Sequence, residues 1–185
     1  MSHTVFESTN MASVHYAERI FDCVSTEDIE NGTFGYMDGL ADNESVVYNF
    51  VKGTKSGETV VVADQPAWTE DTCKKSNQRK DKFIIPAGTR FRVRVVKKND
   101  EFAVSIDGVT TATQSELDVD VTANDVFVTI DPTTGKLVAS ATSTPDAIME
   151  AKVMRKRMVG GMVTTLSHNY GYSRVMYEAK IVALA

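Results

Sequence analysis

Cysteine is rare in this 185-residue sequence, which contains only Cys23 and Cys73. The two lie far apart and lack the short spacing of metal-binding cysteines, so we expect neither a disulfide framework nor a zinc site. The three histidines, His3, His15 and His168, are equally scattered, and none belongs to a His-Glu-x-x-His pattern. We therefore expect surface or structural histidines, and no metal or other cofactor.

Long apolar runs and an excess of positive charge are also missing. No segment is long and apolar enough to span a membrane, and residues 1–10 lack the basic start and apolar run of a secretory signal. Acidic residues outnumber basic ones by 25 to 20, which gives a net charge of -5. Proteins that wrap nucleic acid normally have a strongly basic surface. We therefore expect neither a nucleic acid nor a membrane as partner.

Recognisable catalytic motifs are absent as well. The chain has no Gly-x-Ser-x-Gly elbow. Residues 132–136 (Pro-Thr-Thr-Gly-Lys) resemble part of a phosphate loop, but Leu137 stands where that motif needs Ser or Thr, and no helical pattern follows. The acidic residues between 38 and 44 lack the spacing of an EF-hand. These segments are predicted to be turns, and the protein is not expected to be an enzyme.

What the sequence does contain is the composition of a folded β-rich protein. Hydrophobic residues make up 42% and charged residues 24% of the chain, within the globular range. Short strand patterns separated by regular turn signals predict an all-β fold, a small sandwich or barrel body built of short antiparallel strands. Residues 1–13, rich in Ser, Thr and Asn, are predicted to form an extended N-terminal arm. The body would then span residues 14–185, either as one unit or as two lobes of about 14–82 and 83–185.

The clearest pattern lies in residues 83–106. Apolar residues alternate with arginines over residues 91–95, and the alternation resumes over 102–106 after a polar segment at 97–100. Side chains of a strand point alternately to its two faces, so both runs predict strands with one apolar face. Asn99 and Asp100 are typical turn residues. The segment is therefore predicted to be a β-hairpin around which the remaining chain is organised.

Further strands follow from the same reasoning. The run at 58–63 is predicted to be buried on both faces because it is rich in β-branched residues. Residues 14–24 fit a short helix or a strand, and the aromatic and β-branched content favours the strand. The other predicted strands are residues 33–37, 46–51, 148–158 and 173–182, together with a second hairpin, 126–130 and 136–139, around a turn at 131–135.

Two polar segments are candidate contact regions. Residues 64–82 are too long for an ordinary hairpin loop and contain the only tryptophan, Trp68. Trp68 would either anchor a partner, as tryptophan often does at interfaces, or fold back onto the core. The glycine-containing loop between the last two strands includes Tyr170 and Tyr172, which we also take as candidate partner contacts.

A row of arginines is the strongest electrostatic feature. Arg90, Arg92 and Arg94 occupy alternate positions, so their guanidinium groups would lie on the same side of a sheet. Because like charges repel, this row requires nearby carboxylates. These would come either from a partner or from an adjacent strand of the same fold.

The order of several segments resembles the head decoration, or cement, proteins of tailed double-stranded DNA bacteriophages. The similarity covers most of the chain beyond the arm and consists of turns and strands rather than a catalytic signature. Residues 64–82 depart from it, because more apolar and helix-forming residues would be expected there. The segments that carry the resemblance are residues 14–19 (Val-His-Tyr-Ala-Glu-Arg), 30–34 (Glu-Asn-Gly-Thr-Phe), 60–63 (Val-Val-Val-Ala), 86–93 (Pro-Ala-Gly-Thr-Arg-Phe-Arg-Val), 100–105 (Asp-Glu-Phe-Ala-Val-Ser) and 170–177 (Tyr-Gly-Tyr-Ser-Arg-Val-Met-Tyr).

The resemblance implies a non-enzymatic virion protein. Such a protein is made in the cytoplasm of the bacterial host, lies on the outer capsid surface and binds the major capsid protein, with neighbouring copies of itself as a further partner. Two alternatives remain open: a tail or baseplate component, and a small β-barrel enzyme or ligand-binding protein with a deep pocket. Deletion of residues 1–13 is expected to weaken attachment and to leave folding intact.

Overall fold

The computed structural model of the protein describes residues 3–16, 19–66, 80–121, 123–159 and 174–185. Regular structure in these ranges consists of strands and short 3-10 helices, which confirms the predicted all-β class. The 3-10 helices span Ala12–Val14, Lys80–Lys82, Ile106–Gly108 and Thr111–Leu117. The strands are β1 (Phe6–Asn10), β2 (Ile20–Val24), β3 (Phe34–Leu40), β4 (Val47–Lys52), β5 (Val61–Ala63), β6 (Phe91–Val95), β7 (Glu101–Ser105), β8 (Phe127–Ile130), β9 (Leu137–Ser140), β10 (Met149–Val159) and β11 (Arg174–Leu184).

These strands form two sheets. Five of them close into a barrel in the order β2-β4-β3-β5-β6, and six form a second sheet in the order β1-β7-β11-β10-β8-β9. All neighbouring pairs are antiparallel except β2 and β4, which run parallel. A closed barrel leaves no edge strand unpaired, so free strand edges belong to the six-stranded sheet.

The predicted central hairpin is wrong, although both of its strands exist. β6 pairs with β2 and β5 in the barrel, whereas β7 pairs with β1 and β11 in the other sheet. The turn between them redirects the chain from one sheet to the other. Asn99 has φ +71°, and its N–H donates to the carbonyl oxygen of Ile181 at 3.0 Å. The Asp100 carboxylate accepts hydrogen bonds from the backbone N–H groups of Lys97 and Ala12.

The predicted N-terminal arm is also wrong for the described part of residues 1–13. Residues 6–10 form β1, in which Phe6 lies opposite Val104 of β7. Phe6 and Met11 are buried, and the Phe6 ring contacts the ring of Phe102 with centroids 5.6 Å apart. The residues between these two apolar side chains are all polar, so the sequence shows no alternating apolar pattern that would predict a strand here. Residues 3–13 are therefore part of the folded body.

The two sheets share a core, and the division between them differs from the expected lobe boundary near residue 82. The barrel ends with β6, so the chain passes into the second sheet between Val95 and Glu101. The largest apolar cluster includes Phe34 and Val62 of the barrel together with Phe102 and Val128 of the second sheet. This shared cluster joins the sheets into one body.

The second predicted hairpin is confirmed, and its turn packs against the barrel. β8 and β9 pair in register, with Ile130 opposite Leu137. The Asp131 carboxylate accepts a hydrogen bond from the backbone N–H of Thr133, as expected for an Asp-initiated turn. At the end of the turn, the Gly135 carbonyl oxygen accepts a hydrogen bond from the Phe34 N–H at 2.9 Å. The hairpin is thus anchored to β3.

Glu30 connects three parts of this arrangement. Its carboxylate accepts hydrogen bonds from the Thr4 hydroxyl and the Thr4 N–H, at 2.6 and 3.1 Å, and contacts the His3 ring at 3.0 Å. Lys136, just after the β8–β9 turn, lies 3.5 Å away. Burial raises the pKa of Glu30, but the hydrogen bonds from His3 and Thr4 and the charge of Lys136 outweigh it and lower the pKa from its ordinary value of 4.5 to about 2.

Replacing Glu30 with glutamine is expected to lower the free energy of unfolding at neutral pH by about 1 to 2 kcal/mol, because charged hydrogen bonds are lost. A carboxylate with a lowered pKa stabilises the fold above its unfolded-state pKa, and this stabilisation disappears as the pH falls through its folded-state pKa. The difference between wild type and E30Q should therefore shrink from pH 4.5 towards about pH 2. Urea unfolding at several pH values measures it. Glu58, whose side chain is 41% exposed, provides the control variant E58Q, and an equal pH-dependent effect there would contradict the assignment.

Candidate interaction surface

Three of the predicted contact residues, Trp68, Tyr170 and Tyr172, lie outside the described residues. Their role as partner contacts stays a prediction. The three arginines of the row lie within the described residues, and they differ in burial and in hydrogen-bond partner. Arg92 and Arg94 belong to β6, and Arg90 lies just before that strand.

All three arginines of the row contact other residues of the same chain, and two of them contact carboxylates. Arg94 is buried, forms an ion pair with Asp64 and donates a hydrogen bond to the Ser13 carbonyl oxygen at 3.1 Å. The Arg92 side chain donates to the backbone carbonyl of Asp64 at 3.3 Å. The exposed Arg90 forms an ion pair with Glu44. The carboxylates that pair with Arg90 and Arg94 therefore come from the same chain and not from a partner. Arg90 is the exposed member of the row.

The longest strands of the described residues are β10 and β11, predicted from the sequence as the last two strands. Both have eleven residues. Their neighbours are shorter: β8 pairs with β10 only at residues 150–152, and β7 pairs with β11 at residues 176–180. We call residues 154–158 the projecting segment. Because it extends beyond β8, no described strand pairs with it on that side.

A ladder of alternating charges crosses the outer face of this segment. Arg155 donates to Glu178 at 3.0 Å, and Arg157 forms ion pairs with both Glu178 and Glu7. The strand register places these groups side by side, since Glu7 lies opposite Ala103, Ala103 opposite Glu178, and Glu178 opposite Arg155. The hydrogen bond from Arg155, and then the contacts from Arg157, hold the pKa of Glu178 below its usual value. The carboxylate therefore remains charged at neutral pH.

The ladder borders a shallow groove of about 300 Å³. The small side chain of Ala103 leaves space between the longer charged residues on either side, which is why a depression forms in the middle of the sheet. Met154, Arg155 and Asn10 also line it. A surface that combines paired charges with apolar atoms suits contact with another protein, because the electrostatic potentials of two protein surfaces in contact are complementary.

Two methionines of β10 are exposed, one on each face: Met154 lines the groove, whereas Met158 shares the face of Lys156, opposite the ladder. The exposed fractions of Met154 and Met158 are 52% and 72%. Lys156 lies between them in sequence, and its ammonium group lies 5.5 Å from the ring centroid of Tyr177. Methionine is flexible and polarizable, so it adapts to irregular partner surfaces. Sequence reasoning noted the methionine-rich C-terminal region but did not identify these two residues, although their position among charged residues of one strand indicates exposure.

The described part of the chain also bears on metal binding, membrane spanning and thiol chemistry. It contains no group of three or more His, Cys, Asp or Glu side chains placed to hold a metal ion. None of its helices is long and apolar enough to cross a membrane. Burial, assisted by the charge of Asp22, raises the pKa of the Cys23 thiol to about 12. Cys23 is therefore protonated and unreactive at neutral pH.

Comparison of the chain with models of known protein families, with curated proteins and with solved structures gives no match. A functional proposal therefore depends on the surface described above and on the resemblance seen in the sequence.

Proposed function

We propose that the protein is a structural component of a bacteriophage virion that decorates the outer surface of the head and binds the major capsid protein. The projecting segment is the observation that carries this proposal. It carries Met154 beside the ladder of paired charges on one face and the exposed Met158 on the opposite face, on a strand pair that is anchored in a shared core. The resemblance of the sequence to head decoration proteins supplies the class of partner.

The geometry favours adhesion to a repeated protein surface. Burying the exposed part of a methionine contributes about 1 to 3 kcal/mol, so a few such contacts give modest affinity for one subunit. A capsid presents the same surface many times, and a copy that contacts two neighbouring subunits binds far more firmly than one contact allows. Clamping neighbouring subunits in this way raises the barrier to rupture of a pressurised head.

Binding to undecorated, expanded heads of the phage that encodes the chain tests the proposal. Wild-type protein should bind saturably, as measured by co-sedimentation. The variant M158K should bind about tenfold less tightly, because a charge buried without a partner is costly. Val46, with an exposed fraction of 65% on the barrel, provides the control variant V46K, which should bind normally. Thermal unfolding should show equal stability for both variants.

Two outcomes would contradict this assignment. If wild-type protein fails to bind heads at any salt concentration, the decoration function is wrong. If V46K loses binding and M158K does not, the surface is wrong and the barrel contacts the capsid. Electron microscopy of particles labelled with the protein separates the head from a tail or baseplate location, which is the alternative within the same class.

A further inference from the structure

One edge of β10 is free among the described residues. β10 pairs with β8 through residues 150–152, and the N–H of Val153 donates to the Val126 carbonyl oxygen at 2.8 Å. Beyond Val153, no strand or loop that the structure describes bonds to the backbone on this side of β10. On the other side, β11 pairs with β10 as far as Val159. Among the described residues, residues 154–158 therefore have one edge paired with β11 and one edge without a backbone partner.

The edge of the outer strand β9, by contrast, is covered. The barrel is closed, and the outer strand β9 is covered by the segment that follows β7. Val109 forms a bridge with Leu137, the Thr110 N–H donates to the Leu137 carbonyl at 2.8 Å, and the Ala139 N–H donates to the Thr113 hydroxyl at 3.1 Å. Exposed edges tend to recruit another strand, and proteins usually cover or blunt them. The open edge of β10 contrasts with the covered edge of β9.

The charges on this edge select the kind of strand that fits it. Three consecutive residues, Arg155, Lys156 and Arg157, are basic, and the strand register places Arg155 and Arg157 on one face and Lys156 on the other. The two arginines pair with Glu178 and Glu7 on the β11 side, and the Lys156 ammonium group lies 3.9 Å from the exposed Asp118. Pairing with the same edge of a second copy would place these cations opposite each other, which is destabilising. On its paired side, β10 already follows the opposite rule, since Arg155 lies opposite Glu178. A strand with acidic side chains on both faces would continue this pattern.

We propose that the edge of β10 from Met154 to Met158 accepts an extended, acidic segment of the partner protein as an additional strand of the six-stranded sheet. This inference rests on the proposed function, in which the partner is the major capsid protein. Main-chain hydrogen bonds supply the affinity, while carboxylates opposite Arg155 and Lys156 supply the specificity. The exposed Met158 side chain then packs against an apolar residue of the same segment.

Amide hydrogen exchange followed by mass spectrometry tests the added strand. In the free protein, the amides of residues 154–158 that point away from β11 should exchange rapidly. On heads they should exchange at least tenfold more slowly, because they become hydrogen-bonded, while the covered strand β9 should show no change. Protection of residues 154–158 in the free protein, or unchanged exchange there after heads have bound, overturns the inference. Failure of wild-type protein to bind heads is a distinct result that overturns the proposed function itself.

A matched pair of charge reversals tests the acidic character of the segment. K156E should reduce the affinity for heads about tenfold or more, and the reduction should lessen at high salt concentration because salt screens the repulsion. K98E reverses an exposed lysine in the turn before β7 and should bind as wild type does. Equal effects of the two variants, or no effect of K156E, overturn the acidic assignment. Circular dichroism of both variants establishes that each is folded.

Discussion

Replacing Gly53 with alanine is expected to lower the free energy of unfolding by about 3 kcal/mol or more, from backbone strain and overpacking together. Gly53 has φ +90°, a backbone conformation that residues other than glycine rarely adopt. A Cβ at this position would also lie 1.9 Å from the carbonyl oxygen of Pro132, which belongs to the β8–β9 turn. Because the obstacle is backbone, relief requires the turn to move away from the barrel. Urea unfolding followed by circular dichroism measures the loss.

Gly57 provides the matched control for this prediction. It has a similar φ of +83°, but a Cβ there would meet nothing within 4 Å. G57A should therefore lower the free energy of unfolding by only about 1 kcal/mol, the contribution of backbone strain alone. G135A, whose Cβ would lie 2.2 Å from the Phe34 carbonyl oxygen, should resemble G53A, because it obstructs the same contact from the other side. If G53A and G57A prove equally stable, the close contact between the turn and the barrel is wrong.

Removing residues 1–13 is expected to abolish cooperative folding. The sequence alone predicted the reverse, but the structure places Phe6 and Met11 in the shared core and β1 in the six-stranded sheet. The single substitution F6A should lower the free energy of unfolding by about 3 to 5 kcal/mol, the usual cost of truncating a buried phenylalanine. Phe6 contacts the rings of both Phe34 and Phe102, so its loss affects both sheets.

Thr9, an exposed residue of the same strand, gives the control variant. T9A should change the free energy of unfolding by less than about 0.5 kcal/mol. Thermal and urea unfolding of both variants and of the truncated chain measure these effects. A truncated protein that unfolds at the wild-type midpoint would show that residues 1–13 are an arm after all.

Local patterns identified most of the strands. The alternation at residues 91–95 and 102–106 marks β6 and β7, and the turn at Asp131 marks the β8–β9 hairpin. The β-branched run before Asp64 was predicted to be buried on both faces, and all three residues of β5 are buried. In the ambiguous stretch at residues 14–24, the extended conformation is confirmed for Ile20–Val24. These signals succeed because side-chain periodicity and turn chemistry act between residues that are close in sequence.

The candidate surface was less accessible to prediction. The arginine row was recognised, but Asp64 and Glu44, which neutralise Arg94 and Arg90, lie 30 and 46 positions away in the sequence. The open edge of β10 could not be predicted either, because it depends on β8 ending its pairing at residue 152. At these positions, the charged partners and the exposure of a residue depend on which strands from distant parts of the sequence lie beside it.

The sequence by itself determined where most of the strands form, that the chain folds as an all-β protein, and which positions of those strands carry the apolar faces. Only the tertiary structure decided that β6 and β7 enter different sheets, that residues 6–10 form a strand of the folded body, and that no described strand pairs with β10 beyond Val153 on the β8 side. The physical reason is that backbone hydrogen bonds are the same for any pair of strands. The choice of partner depends instead on long-range contacts, such as those of Phe6 with Phe102 and of Asp100 with Ala12, which join residues far apart in the chain.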